Sequence, residues 1–179
     1  MTLDKKVGDQ MKSTTSMIER IGLYIPIYRG YKQKNLRRDE DRAVRQEVAR
    51  TLEGTKSDLG TVQRAVTGDL ELLRDTERIR AKVDQYYISV KKAAGGYSGL
   101  SSSVKILEEE LDRLIMWDAR LVESAAGLRK ESAELVAKID RGEYAIRGDL
   151  RKLETAVDSM IDEYRNRDSV MKGFADGEE

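Results

Sequence analysis

The stretch VKILEEELDRLIMWDARLVESAAGLRKESAELVAKI, residues 104–139, places Leu107, Leu114, Leu121, Leu128 and Leu135 at a strict seven-residue interval. Val104, Leu111, Asp118, Ala125, Ser132 and Ile139 fill the complementary positions. A helix must under-wind to about 3.5 residues per turn to keep such a stripe on one face, so the pattern reads as a coiled-coil seam. A seam predicts a partner seam.

The partner is sought in the chain itself. No proline interrupts residues 36–94, and Leu52, Thr55, Leu59, Val62, Val66, Leu73, Val83, Tyr87 and Val90 recur at helical spacing. That predicts a helix approaching about 55 residues, or about 80 Å. After Gly95, Gly96 and Gly99, the hydroxyls of Ser101, Ser102 and Ser103 offer N-caps to a second long helix reaching about residue 165. Its later seam is Ile146, Leu150, Leu153, Val157, Ile161 and Tyr164. Two long helices joined by a tight turn lie antiparallel. With facing residue numbers summing to about 194, Val90 meets Val104, Val83 meets Leu111 and Leu59 meets Leu135.

The expectation is therefore an all-α protein, a long antiparallel two-helix coiled-coil hairpin with a short N-terminal helix. Its parts are a short amphipathic helix at 1–23, a corner at 24–35, the hairpin at 36–167 with its tip at 93–101, and an acidic flexible tail at 168–179. Gly54, Gly60, Gly68, Gly142 and Gly148 read as bends or close approaches, because each glycine costs a helix about 1 kcal/mol relative to alanine. Arg80 and Asp118 break the apolar seam and, one turn apart in this register, are expected to pair and fix it.

The corner concentrates rings and cations. Tyr24, Tyr28, Arg29, Tyr31, Lys32, Arg37 and Arg38 form a candidate interaction corner around Pro26 and Gly30, followed by Lys34, Arg42 and Arg45. The competing expectation is an internal clasp: the same register carries Arg37 and Arg38 toward Asp158, Asp162 and Glu163.

Composition narrows the chemistry. Hydrophobic residues make up 39% of the chain and charged residues 37%, which favours long helices over a thick globular core. With 33 Lys and Arg against 33 Asp and Glu, the chain lacks the cationic excess of a nucleic-acid coat protein. It has no Cys and no His, so disulfides, thiolate or imidazole metal sites and imidazole bases are excluded. No catalytic residue, cofactor or metal site is predicted. The longest apolar-leaning run, 23–28, is too short to span a bilayer and the first residues lack a signal-peptide core, so a cytoplasmic location is expected.

The run Ile25-Pro26-Ile27-Tyr28-Arg29-Gly30-Tyr31-Lys32-Gln33-Lys34, followed by Arg37-Arg38-Asp39 and Asp41-Arg42, resembles a family of small prokaryotic helical proteins of unknown function. So do Gly96-Tyr97-Ser98-Gly99-Leu100, then Glu108-Glu109-Glu110-Leu111-Asp112-Arg113-Leu114 and Asp118. Ile27 stands where that family usually has Gly, and Ser101-Ser102 where it has Phe-Asp. The resemblance implies a helical protein that works through contacts, and it carries no activity.

The leading functional expectation is a non-enzymatic interaction or scaffold protein whose partner is another protein, a second copy included. The alternative is a peripheral membrane-surface protein using the N-terminal helix and the corner, similar in outline alone to the phage-shock membrane-remodelling proteins. Nucleic-acid binding through ring stacking and phosphate contact at the corner is the least supported reading.

Overall fold

The computed structural model describes residues 3–29, 37–93 and 108–176. All regular structure among them is helical: α1 (Leu3–Gly22), α2 (Arg37–Ala65), α3 (Leu70–Ala93), α4 (Glu108–Asp140) and α5 (Arg147–Asp176). The chain divides into two compact units, one of Met1–Glu47, Ala94–Glu123 and Glu163–Glu179, the other of Val48–Ala93 and Ser124–Asp162. The expected tip at 93–101 and the seam positions Val104 and Leu107 lie outside the described residues, apart from the backbone of Ala93.

The two long helices expected from periodicity are each cut in two. Residues 66–69 end the first, where β-branched Val66 and Thr67 precede Gly68, and Asp69 caps α3 by accepting from the backbone N–H groups of Glu71 and Leu72 at 3.0 and 3.1 Å. Gly142 ends the second. Its φ of 75° is left-handed, and its N–H bonds to the Ile139 carbonyl while that of Glu143 bonds to the Lys138 carbonyl, a Schellman closure that stops α4. The expected tail also differs, because α5 continues through Asp176.

These breaks replace the two-helix hairpin within the second unit. After residue 69 the chain reverses, and α3 packs antiparallel on α2: Lys56 pairs with Asp84, and Arg80 donates to Gln63 at 2.9 Å. The turn at 141–146 likewise reverses α5 against α4, with Lys138 held to Asp149 at 2.7 Å. α3 and α5 run parallel, as Arg147 pairs with Glu71, Arg78 with Glu154 and Lys82 with Asp158. It follows that α2 and α4 are parallel here, and Asp58 accepts from Ser132 at 2.7 Å and from Arg129. The antiparallel register summing to 194 is thereby overturned, and the unit is a four-helix bundle of two hairpins.

The stripes at these spacings are buried in this different packing. On α4 the predicted positions Leu114, Asp118, Leu121, Ala125, Leu128, Ser132, Leu135 and Ile139 are all buried. α2 repeats the alternation with Asp41, Arg45, Val48, Leu52, Thr55, Leu59 and Val62, and Val66 just beyond its end continues it, all buried. Each fully buried Leu or Ile contributes about 1.5–3 kcal/mol. On α3 the buried stripe is Leu72, Thr76, Ile79, Val83, Tyr86 and Val90, one residue off the expected Leu73 and Tyr87. Gly54 finds its reason in this unit, since a Cβ there would meet the Arg129 side chain at 2.5 Å.

In the first unit α1 lies along α4. Thr14 donates to Asp112 at 3.1 Å, Arg20 pairs with Glu123, and Ile21 is buried.

Candidate functional site

The corner after α1 is built by its proline. Pro26 fixes φ at the second position of a turn closed by the Tyr28 N–H on the Ile25 carbonyl at 2.9 Å. The Ile25 N–H in turn bonds to the Ile21 carbonyl at 2.8 Å, so the turn is tied to the last residues of α1. Ile25 and Tyr28 point inward and are buried, whereas Leu23 is 81% and Ile27 72% exposed, with Tyr24 partly so.

Tyr28 is the first link of a buried chain of side chains. Its hydroxyl donates to Asp118 Oδ2 at 2.8 Å, and Asp118 Oδ1 accepts from Arg167 Nε. Arg167 Nη2 reaches Asp41 Oδ1 at 2.8 Å, Asp41 Oδ2 accepts from Arg45 Nε at 2.8 Å, and Arg45 Nη1 donates to the Tyr164 hydroxyl at 2.5 Å. Two carboxylates and two guanidinium groups thus alternate between two tyrosines, and all six residues are buried.

Helical spacing explains the arrangement. Asp41 and Arg45 are four apart on α2, and Tyr164 and Arg167 are three apart on α5, so each pair shares a face. Burial by itself disfavours the Arg45 charge, and the charge and hydrogen bond of Asp41 outweigh it, so its pKa is raised. Buried ions of this kind persist when their remaining hydrogen-bonding sites are met, and removing one member leaves its neighbour uncompensated.

Beside this chain, Glu40 is 4% exposed. Its Oε1 accepts the backbone N–H of Arg29 at 2.7 Å, tying the corner to α2, while Oε2 has no partner. Burial raises its pKa, the Arg29 N–H works against that shift, and the nearby Asp118 charge adds to it. Glu40 lines an open groove of about 490 Å³ with Ile27, Arg29, Asp39, Arg42, Ala43 and Gln46.

The expected interaction corner therefore divides. Tyr28 is a buried internal link, Tyr24 and Arg29 are exposed, and Tyr31, Lys32 and the side chains of Arg37 and Arg38 lie outside the described residues. Asp158, expected near Arg37 and Arg38, is bound by Lys82. The expected Arg80–Asp118 pair does not form: Asp118 is held by Tyr28 and Arg167, and Arg80 donates to Gln63. Arg45, placed by its sequence among the exposed cations, is buried.

Sequence reasoning missed Glu40, Asp41, Tyr164 and Arg167 as a group. The signal was available by extending the seams, since 41-45-48-52 on α2 and 157-160-164-167 on α5 continue the same alternation into polar residues. Among the described residues there is no group of three or more acidic side chains placed to hold a metal ion, and no helix long and apolar enough to cross a membrane.

The chain is similar to Arcadin-4 of Pyrobaculum calidifontis, 30% identical over 111 residues. The match takes in 58% of this chain and spans 14% of the length of that protein. No protein-family model and no solved structure matches the chain.

Proposed function

We propose that the protein is a non-enzymatic interaction or scaffold protein that docks a partner protein on the corner at residues 23–29. The observation that carries this reading is the division of that corner into an anchored and a displayed half. Ile25 and Tyr28 are locked inward, and the Arg29 N–H is tied to Glu40, while Leu23 and Ile27 are held out in solvent. Apolar side chains fixed by a rigid backbone lose little entropy on binding, which is how preorganised interface anchors act. The heptad stripes of α2 and α4 are read as coiled-coil seams that hold the scaffold.

The same half of the corner favours a second reading, a peripheral membrane surface, because Ile27 lines one groove with Arg29 and Arg42 and Leu23 is exposed on the same corner. Apolar insertion beside cations suits an anionic bilayer. Against it, the described residues Thr14, Arg20 and Ile21 of α1 are engaged by the protein itself.

A photo-reactive residue at position 27, in cells of the source organism, tests the reading. A discrete protein adduct is expected, competed by added wild-type chain and not by a Leu23→Ser, Ile27→Ser double variant that retains its helical circular dichroism. Absence of any competed protein adduct, with flotation on phosphatidylglycerol vesicles lost in the double variant, would replace docking by membrane binding.

A further inference from the structure

Glu40 is a carboxylate buried without a cation. Its Oε1 accepts the Arg29 N–H at 2.7 Å, while Oε2 is sealed from solvent and has no donor. It makes no ion pair among the described residues, in contrast to Asp41 and Asp118, which are held by Arg45 and Arg167. A carboxylate sealed from water with neither a cation nor a full set of donors is strongly disfavoured, and taking up a proton relieves it.

The surroundings act in the same direction on balance. Among the described residues, the charged and titratable groups about Glu40 are Asp118 on α4, whose oxygens are taken by Tyr28 and Arg167, Asp39 and Arg42 on α2, and Arg29 on the corner. Burial raises the Glu40 pKa most and the Arg29 N–H opposes it. The Asp118 charge then raises it, the Arg29 charge lowers it and Asp39 raises it, leaving a net rise above the ordinary 4.5.

The neutral acid keeps the bond to the Arg29 N–H without the penalty of a sealed charge. The carboxylate has a different place to go. Glu40 lines the open groove of about 490 Å³, so a turn of its side chain carries the charge into water beside the Arg29 and Arg42 guanidinium groups. Leaving its seat breaks the bond that ties the Arg29 backbone to α2.

We propose that Glu40 is a proton-operated latch on the corner: seated and neutral, it holds the Arg29 backbone to α2, and ionised, it turns into the groove and lets residues 27–29 loosen. That a loosened corner docks its partner less well is the part that rests on the docking role, because Ile27 is then no longer held in place. An acid with a raised folded pKa contributes stability that is fully present below its unfolded value and is lost as pH rises through the folded one. The latch is therefore closed below 4.5 and opens as pH rises through the raised value.

Hydrogen exchange at the Arg29 amide of the full chain, corrected for the intrinsic pH dependence of exchange, tests the latch. Protection is expected to fall about tenfold or more as pH rises from 4.5 to about 8, while the amide of buried Val122 on α4 stays protected. Glu40→Gln, uncharged and with an acceptor for the Arg29 N–H, should hold its protection constant across that range. Glu40→Ala, which has no acceptor, should show low protection at every pH. The Glu40 carboxyl carbon, followed by NMR, should titrate above 4.5. In cells, the adduct from position 27 should be undiminished or greater in Glu40→Gln and lower in Glu40→Ala.

Arg29 protection independent of pH in the wild type, an equal fall in Glu40→Gln, or titration of Glu40 at or below 4.5 overturns the latch. Protection that follows pH, with wild-type adduct yield in both variants, overturns its control of docking. If position 27 gives no competed adduct in any chain, the docking role falls, and the exchange data decide the latch by themselves.

Discussion

Arg167 touches two carboxylates on two other helices, Asp118 on α4 and Asp41 on α2, and is completely buried. Replacing it with Leu leaves both acids without their shared cation, and a loss of about 3–5 kcal/mol is expected in urea unfolding. A double-mutant cycle on Arg167 and Asp118 should show strong coupling. The corresponding cycle on Arg80 and Asp118 should be additive, because these residues share no partner. Glu154 gives a pH signature: hydrogen bonds from Arg78 and then Lys82 hold its pKa down to about 2, from an ordinary 4.5. A depressed acid stabilises the fold above its unfolded pKa, and that contribution disappears as pH falls through the folded value. The stability difference between wild type and Glu154→Gln should therefore be full above pH 4.5 and vanish toward pH 2, read from unfolding midpoints across that window. At this scale the sequence was partly legible. Asp118 was visible as a polar seam residue, but its partner was assigned from a register that the folded chain does not use.

At the scale of the element, periodicity located the helices and misjudged their lengths. The seam of α4 is buried at each position expected from Leu114 to Ile139, because a seven-residue repeat constrains the facing side independently of what it faces. Periodicity does not say where a helix stops, since Leu72 and Val83 continue the stripe beyond the break at 66–69 with a small change of phase. The stops are set by backbone chemistry at single residues. Gly142 needs its left-handed φ, so Gly142→Ala should destabilise the protein by about 1–2 kcal/mol. Gly68 has an ordinary φ and nothing within 4 Å of an added Cβ, so Gly68→Ala should be neutral or stabilising by about 0.4–1 kcal/mol. Thermal unfolding of the two variants side by side checks the contrast. The two glycines look equivalent in the sequence, and the sign of φ separates them.

At the scale of the whole molecule, the all-α class followed from composition and periodicity, while the arrangement of the helices depended on two turns that hydrophobic pattern does not encode. The bundle of 48–93 and 124–162 supplies stability through apolar seams ringed by ion pairs such as Arg78–Glu154 and Lys82–Asp158. The other unit replaces apolar seam residues with an ionic chain ending at Tyr28, the residue next to the displayed Ile27. On the docking proposal, the clasp holds the corner and the corner makes the contact. Tyr28→Phe tests this link most directly, because it removes one hydroxyl that donates to Asp118 and leaves every exposed side chain of the corner unchanged. Hydrogen exchange at the Tyr28 and Arg29 amides should accelerate in the variant while α4 stays protected, and the competed adduct from position 27 should fall with it. A faster-exchanging corner that still gives the wild-type adduct yield would contradict the account.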